Sequence, residues 1–337
     1  MRCIYNIMKS LWLKIKPIGR LLKAFSGFCY DFHRFYSYAG WRSEMLDIEE
    51  RNYTGVKIYH SLEKSMSFKN RKQGSGWSDA YLLLTLLERA NKTNQIGYHD
   101  KAARKVLADF IELPGNAQTE QAQYIREQLV SLNFTSLVDH GTMTHSSEDF
   151  QKGMLVSPES FFLSRYSLRE FKTECVDEDI IKRAVSLAMK TPSVCNRQAW
   201  HVYHSSDKEV KEKALKYQSG NRGFGEKIPN IMVLTVDLKA FVPGQEHYQH
   251  WIDGGLFSMS IIYALHSLGV ASCCLNWSQT PRNDKSLRKV VKIKPNHTVI
   301  MMLAIGWPEE RNNVCISARR PLDEVYTNME VRDGNNW

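Results

Sequence analysis

Two arginines and a serine fall within five positions of Ser164-Arg165-Tyr166-Ser167-Leu168-Arg169-Glu170-Phe171. A near-dianionic phosphate needs two or more cationic donors, and the forked guanidinium of arginine suits it best. If a helix begins here, Arg165 and Arg169 share one face and the Ser167 hydroxyl is free to donate. A solvated charged helix face would carry the same three residues. Further on, Thr191-Pro192-Ser193-Val194-Cys195-Asn196-Arg197-Gln198-Ala199-Trp200 offers Ser193, Asn196 and Gln198. Side-chain amides donate and accept at once, so this set can read the edge of a planar heterocycle. Local turn chemistry, with the amide capping backbone groups, would use the same residues.

A third stretch is Leu268-Gly269-Val270-Ala271-Ser272-Cys273-Cys274-Leu275-Asn276-Trp277. A strand ending in a polar residue beside a cleft can aim a backbone N–H at the hydride-exchanging N5 of a flavin. Cys273-Cys274 invites a dithiol reading, but vicinal cysteines close a strained ring when oxidised, and buried thiols in a strand are the simpler account. Arg319-Arg320, beyond the last strand, can close over the phosphate held by Arg165 and Arg169. Phosphate grip, ring-edge reader and N5 donor, in this order, point to a flavin mononucleotide (FMN) site.

The elements that must position these groups follow from periodicity. Asp177-Glu178-Asp179 opens a helix with acids in its first turn. Ile181, Ala184, Val185 and Ala188 mark its apolar face, and Pro192 closes it. Trp200 to His204 alternates as a strand, and Ile231 to Val236 is the continuous apolar run of an interior strand. Gly254 to Leu268 reads as a helix ended by Gly269, with Val270 to Leu275 and Thr298 to Ile305 as further strands. Upstream, Asp79 to Arg89, Lys101 to Leu113 and Glu120 to Leu132 read as helices. Loops between 205 and 250 can cover a substrate pocket, with Phe224, Phe241, Tyr248 and Trp251 as wall or core residues. The class expected is α+β: a mixed sheet flanked by helices, behind a mainly helical amino-terminal region.

The chain has 337 residues, 43% of them hydrophobic and 24% charged, enough for a packed core and against wholesale disorder. Seven scattered cysteines, an odd number with no metal-like spacing, fit a reducing, cytoplasmic setting and no bound metal. The net charge of +9 is uneven. Residues 1–45 form a basic leader in which Lys9, Lys14, Lys16, Arg20 and Lys23 alternate with Leu11, Trp12, Leu22, Phe25 and Phe28. Such a segment can lie on an anionic membrane surface, and it can equally pack on its own domain or a partner. No apolar run is long enough to span a bilayer. No nucleic-acid recognition motif accompanies the charge.

The motifs quoted above, followed by Ala304-Ile305-Gly306-Trp307-Pro308, occur in the order of the nitroreductase-like flavoprotein family, which residues 160–325 resemble. The resemblance implies an intertwined homodimer with FMN at the interface, and hydride transfer from NADH or NADPH through the flavin to a small-molecule acceptor. It implies phosphate and ribityl contacts from Arg165, Ser167 and Arg169. Ring-edge contacts from Ser193, Asn196 and Gln198 would be given across the interface, with a further contact from Asn221. Cys274, Leu275 and Asn276 would line N5, and Arg319 or Arg320 would supply a late phosphate contact. No side chain is required as nucleophile. Ala199 departs from the proline usual in the family. Residues 46–150 are not explained by it. Their Tyr59-His60-Ser61-Leu62-Glu63-Lys64 resembles an extension of nitroreductase-like proteins in bacterial surface-polysaccharide clusters. That resemblance implies either a catalyst of polysaccharide metabolism or a flavin-binding scaffold of a membrane-associated glycan assembly system. His60 and Glu63, at helical spacing, can form an acid–base pair, a surface hydrogen bond or a docking feature.

Overall fold

A computed structural model describes residues 2–40, 45, 47–136 and 140–331, with backbone alone for 2–15. The amino-terminal part is helical: α1 (Arg2–Tyr38), α2 (Ile48–Ser67), α3 (Trp77–Thr93), α4 (Tyr98–Ile111) and α5 (Glu120–Val130). Local chemistry explains the helix starts. The Asp47 carboxylate accepts from Glu49 and Glu50 N–H at the head of α2, and the Thr119 hydroxyl from Ala122 N–H at the head of α5. Helices α2 to α5 bury one face each in a core of their own, around Leu62, Leu83, Leu87, Val106, Phe110 and Ile125.

Short helices α6 (Ser147–Gln151) and α7 (Pro158–Leu163) lead into the α+β part. It holds α8 (Glu178–Ala188), β1 (Trp200–Ser205), α9 (Lys208–Leu215), β2 (Asn230–Asp237), α10 (Gln249–Ser267), β3 (Ala271–Asn276), α11 (Pro281–Val290) and β4 (His297–Gly306). The strands form one antiparallel sheet in the order β1-β2-β4-β3. All eight residues of β2 are buried, as its unbroken apolar run requires of a strand covered on both faces. Helices α8 and α10 pack on one face, and α9 and α11 on the other. α10 lies so close to the sheet that a Cβ on Gly254 would meet Ile300 at 2.5 Å and Val236 at 2.9 Å. It also begins five residues before the expected start. His250 and Asp253, polar in the sequence, are buried in the fold and carry no amphipathic signal.

The leader is not a free arm. Tyr30 donates to Asp284 at 2.7 Å, Arg34 to the His297 carbonyl at 2.9 Å, and Phe35 stacks on His250 at 5.3 Å. Lys239 ties α2 to the sheet by bonds of 2.8 Å to Asp47 and 2.9 Å to Glu49. Phe241 and Phe224, expected as pocket walls or core, are core. Among the described residues no helix is long and apolar enough to cross a membrane.

His297 is 3% exposed, with Tyr203 Oη 2.9 Å and Thr235 Oγ1 3.3 Å from its Nδ1. Burial, reinforced by the charges of His201 and Lys294, depresses its pKa to about 3. Below the ordinary value near 6.5 the unfolded chain takes up a proton that the folded chain refuses. Stability is therefore full above about pH 6.5 and declines toward pH 3, by about 1.4 kcal/mol per pH unit from this residue. Denaturant titrations at about pH 6 and pH 4.5 check this: His297→Gln should flatten the acid slope by about that amount.

Candidate functional site

The segment expected to begin a helix at Arg165 is extended instead. Ser164 caps the end of α7. Ser167 then forms a parallel bridge with Ser272, and Leu168 N–H donates to the Ser272 carbonyl at 3.1 Å. Leu168 and Phe171, both buried, pull the segment onto the sheet, which a solvated helix could not do. The extended segment keeps the three polar groups together, because positions 165, 167 and 169 also share a side of an extended chain. Among the described residues neither Arg165 nor Arg169 pairs with a carboxylate, whereas Arg51, Arg126, Arg197 and Arg288 each do. The polar contact of Arg169 is a 3.7 Å approach of Nη1 to Cys315 Sγ.

β3 is an edge strand, and the bond to Ser272 fixes its parity. Backbone N–H and C=O groups of one residue in an antiparallel strand point the same way and alternate along it. Ser272 faces outward, so Cys274 and Asn276 do too, while Ala271, Cys273 and Leu275 face β4. Gln218 confirms the direction by donating to the Asn276 carbonyl at 2.9 Å. Side chains follow the other alternation. Leu275, 1% exposed, belongs to the core, so whatever it offers the outer edge is not its side chain. Cys273 is buried and Cys274 exposed on the opposite face, so the two thiols point apart. Burial raises the Cys273 pKa against the opposing charge of Arg169, which keeps that thiol protonated. Asn276 also lines a cavity of about 370 Å³ closed by Tyr30, Asp31 and Arg34 of α1. This wall was not foreseen in the sequence, where the leader gives no sign of where it docks.

Ser193, Asn196 and Gln198 lie elsewhere, at the start of β1 and so on the opposite edge of the sheet. Their turn is strained: Cys195, Asn196 and Gln198 have φ of 50°, 53° and 52°, left-handed values that non-glycine residues rarely adopt. Several anchors hold it. Val194 N–H donates to the Asp253 carboxylate at 3.2 Å, and Gln198 N–H to Ser193 Oγ at 3.0 Å. Arg197, 2% exposed, reaches Glu246 at 2.6 and 2.9 Å, donates to the Ala240 carbonyl and lies over the Phe241 ring at 5.3 Å. Gln198 Nε2 also reaches Asn196 Oδ1 at 3.2 Å, so the two amides are oriented together. Asp253 and Glu246 escaped the sequence reading, since partners 59 and 49 residues away leave no local signal.

Asn221 donates its amide to the carbonyls of Leu215 and Gln218, at 2.8 and 3.1 Å, and so closes the end of α9. Arg319 and Arg320 sit in the exposed segment after β4, where Arg319 bonds the Ser317 carbonyl. No described contact joins them to Arg165 or Arg169. The same segment does approach that edge through Asn312 and Val314, which with Arg165 and Ser272 line a cavity of about 410 Å³. His60 and Glu63 of α2 are hydrogen-bonded at 3.1 Å. Among the described residues no cluster of side chains suits a metal ion.

Residues 163–221 match the model of the Nitroreductase family. A protein of Archaeoglobus fulgidus, provisionally named NADH dehydrogenase/NAD(P)H nitroreductase, is 26% identical over 151 residues, 44% of this chain and 84% of that protein. The iodotyrosine deiodinase of Hydra vulgaris is 23% identical over 218 residues, 55% of this chain and 79% of its own. Among solved structures, an FMN-dependent nitroreductase from Clostridium difficile is 21% identical, with a TM-score of 0.43 covering 50% of this chain and 98% of that one.

The strained turn depends on a buried charge, which gives a direct test. Glu246→Ala leaves the Arg197 guanidinium buried without its carboxylate, so the folded state should lose about 3 kcal/mol. Chemical denaturation read by tryptophan fluorescence should show the lowered midpoint.

Proposed function

We propose that the chain is an FMN-dependent oxidoreductase that passes hydride from NADH or NADPH to a small-molecule acceptor. The observation that carries this reading is the alignment of Arg165, Ser167 and Arg169 along the outer edge of β3, beside the outward backbone of Cys274 and Asn276. It is supported by the family match, which covers the grip and the ring-edge turn, and by the naming of the archaeal relative. The residues present fit the cofactor. Two guanidinium groups without carboxylate partners among the described residues can take a phosphate with no ion pair to break, and Ser167 adds a hydroxyl donor. Asn276 N–H would face N5, with Gln218 fixing the carbonyl of the same residue. When bound, FMN supplies a ring that accepts and returns a hydride, and the protein supplies position and charge.

Ser193, Asn196 and Gln198 stand three strand spacings from β3, about 14 Å at the usual separation. They would read the edge of a ring held by a second copy, so the working unit is a homodimer. Tyr248, which caps the start of α10, and Ile252 and Leu256 on its exposed side recur every four residues and give that copy an apolar face. Arg319 or Arg320 would complete the phosphate contacts from the extended carboxy-terminal segment.

A second reading draws on α1. Ile18, Leu22, Phe25, Phe28 and Phe32 form one exposed stripe, 58% to 70% accessible, and Lys16, Arg20 and Lys23 lie on the opposite side of the helix. An aromatic face backed by cations suits the surface of an anionic membrane. On this reading the chain is a flavin-binding accessory of a membrane-associated glycan assembly system, and the flavin turns over negligibly.

The absorbance of the purified chain separates the cases. The oxidoreductase reading expects flavin bands that a reduced nicotinamide bleaches under anaerobic conditions; colourless protein that takes up no added FMN would refute it. Arg165→Ala with Arg169→Ala should weaken FMN about 100-fold, the effect of two charged hydrogen bonds at about 1.5 kcal/mol each. The accessory reading expects bound flavin without bleaching, and sedimentation with phosphatidylglycerol vesicles that Phe25→Asp with Phe28→Asp abolishes.

A further inference from the structure

The Tyr59-His60-Ser61-Leu62-Glu63-Lys64 motif, left unused by the flavin reading, faces a cavity of about 620 Å³ between the helical region and the β1 edge of the sheet. We propose that this cavity is a binding site for a small aromatic molecule that is neutral or positively charged. The proposal goes beyond the flavin reading, with which it shares only Asn196 and Gln198, because α2, α4, α8, α10 and β1 of a single chain line the space.

The shape of the wall follows from helical spacing. Tyr59 and Glu63, four apart on α2, both line the cavity, Tyr59 reaching it from the helical core that it shares with Leu62. His60 holds the Glu63 carboxylate at 3.1 Å. Tyr98, at the start of α4, and His140 add a phenol–imidazole pair, with Oη 3.0 Å from Nε2. Opposite them, Asn196 and Gln198 bring the amides of the strained turn. The apolar part is a ring platform: Trp200 stacks on buried Phe257 with centroids 4.7 Å apart and planes within 1°. The volume falls in the usual range for small-molecule pockets and admits one or two fused rings.

Charge and the phenol–imidazole pair decide the class of ligand. Among the described residues no lysine or arginine lines the cavity, and Glu63 is its one carboxylate. An anion would therefore meet a carboxylate with no lysine or arginine beside it, which disfavours carboxylic acids and the pyrophosphate of a dinucleotide. His99, whose Nδ1 lies 3.0 Å from Tyr59 Oη, cannot supply the missing charge, since burial depresses its pKa to about 4. His140 Nδ1 is buried and has no hydrogen-bond partner among the described residues, so a hydroxyl, carbonyl or amine of an occupant would meet this pair through Tyr98 Oη and His140 Nε2. An aromatic ring on the Trp200 platform with one such group toward Tyr98 and His140 uses every part of the wall.

Titration calorimetry of the full chain with 2-naphthol and 2-naphthoate at neutral pH tests this, because the two share a ring system and differ in charge. 2-Naphthol should saturate a single site per chain, and 2-naphthoate should bind at least about tenfold more weakly, a difference of about 1.4 kcal/mol. Glu63→Gln should close that gap. Tyr98→Phe, a change on a largely exposed ring that leaves the fold intact, should weaken 2-naphthol about tenfold, the same energy. Equal affinity for the two probes would overturn the proposal. So would affinities indifferent to both substitutions, or displacement of 2-naphthol by stoichiometric FMN, which would assign the cavity to the flavin.

Discussion

The hydrogen bond from Leu168 N–H to the Ser272 carbonyl settles more of this molecule than its length suggests. It lays residues 165–171 along an edge strand, and it fixes which residues of β3 present their backbone outward. Arg165, Ser167 and Arg169 gain a common side, and Cys274 and Asn276 gain an open one. The bond holds because Leu168 and Phe171 are buried with Leu275 and Trp277 in a shared core. A polar motif on a solvated helix would have no such register. Here apolar residues between the arginines set the position of the arginines.

At the other edge the governing constraint is strain. Three residues of the 193–198 turn adopt left-handed backbone, which costs on the order of 1 kcal/mol each, and the turn persists because its surroundings over-determine it. Asp253 takes its Val194 N–H, the Arg197–Glu246 pair locks its centre, and α2 packs on it from outside. α2 is itself held by Lys239, which bridges Asp47 and Glu49, and by Tyr53, whose hydroxyl reaches Asp237 at 3.2 Å. The helical region is thus part of what positions the turn. Its exposed ion pairs contribute little by themselves, and the burial of Tyr53 and Arg34 against the sheet contributes more.

Strands β1 to β4 were legible in the sequence almost to the residue, because continuous or alternating apolar runs bounded by glycine or a polar turn have no good helical reading. The arginine segment was not, and the reason is specific. A spacing of four suits a helix, but positions 165, 167 and 169 suit an extended chain equally, and only the partner strand decides. α10 shows the limit from another side: His250 and Asp253 look like solvent-facing residues, yet His250 stacks under Phe35 of α1, more than two hundred residues away in the chain. The docking of α1 and the anchoring of the turn by Asp253 and Glu246 are long-range in the same sense. The candidate site residues could be picked out by type, but which of them share one edge of the sheet could not.

The two edges differ in charge in a way that bears on how they can work together. Among the described residues, the β3 edge carries guanidinium groups without carboxylate partners, whereas at the β1 edge Arg197 is paired with Glu246 and the adjoining cavity is lined by a carboxylate, phenols and imidazoles with no lysine or arginine. An anionic group is therefore favoured at one edge and disfavoured at the other. In a pair of chains that brings the β3 edge of one copy toward the β1 edge of the other, a molecule with a phosphate at one end and a ring at the other has a single favourable orientation. The helical region strengthens that polarity, since it is Glu63, and no residue of the sheet, that makes the β1 side hostile to anions. An addition outside the family match thus acts on the same choice as the arginines within it.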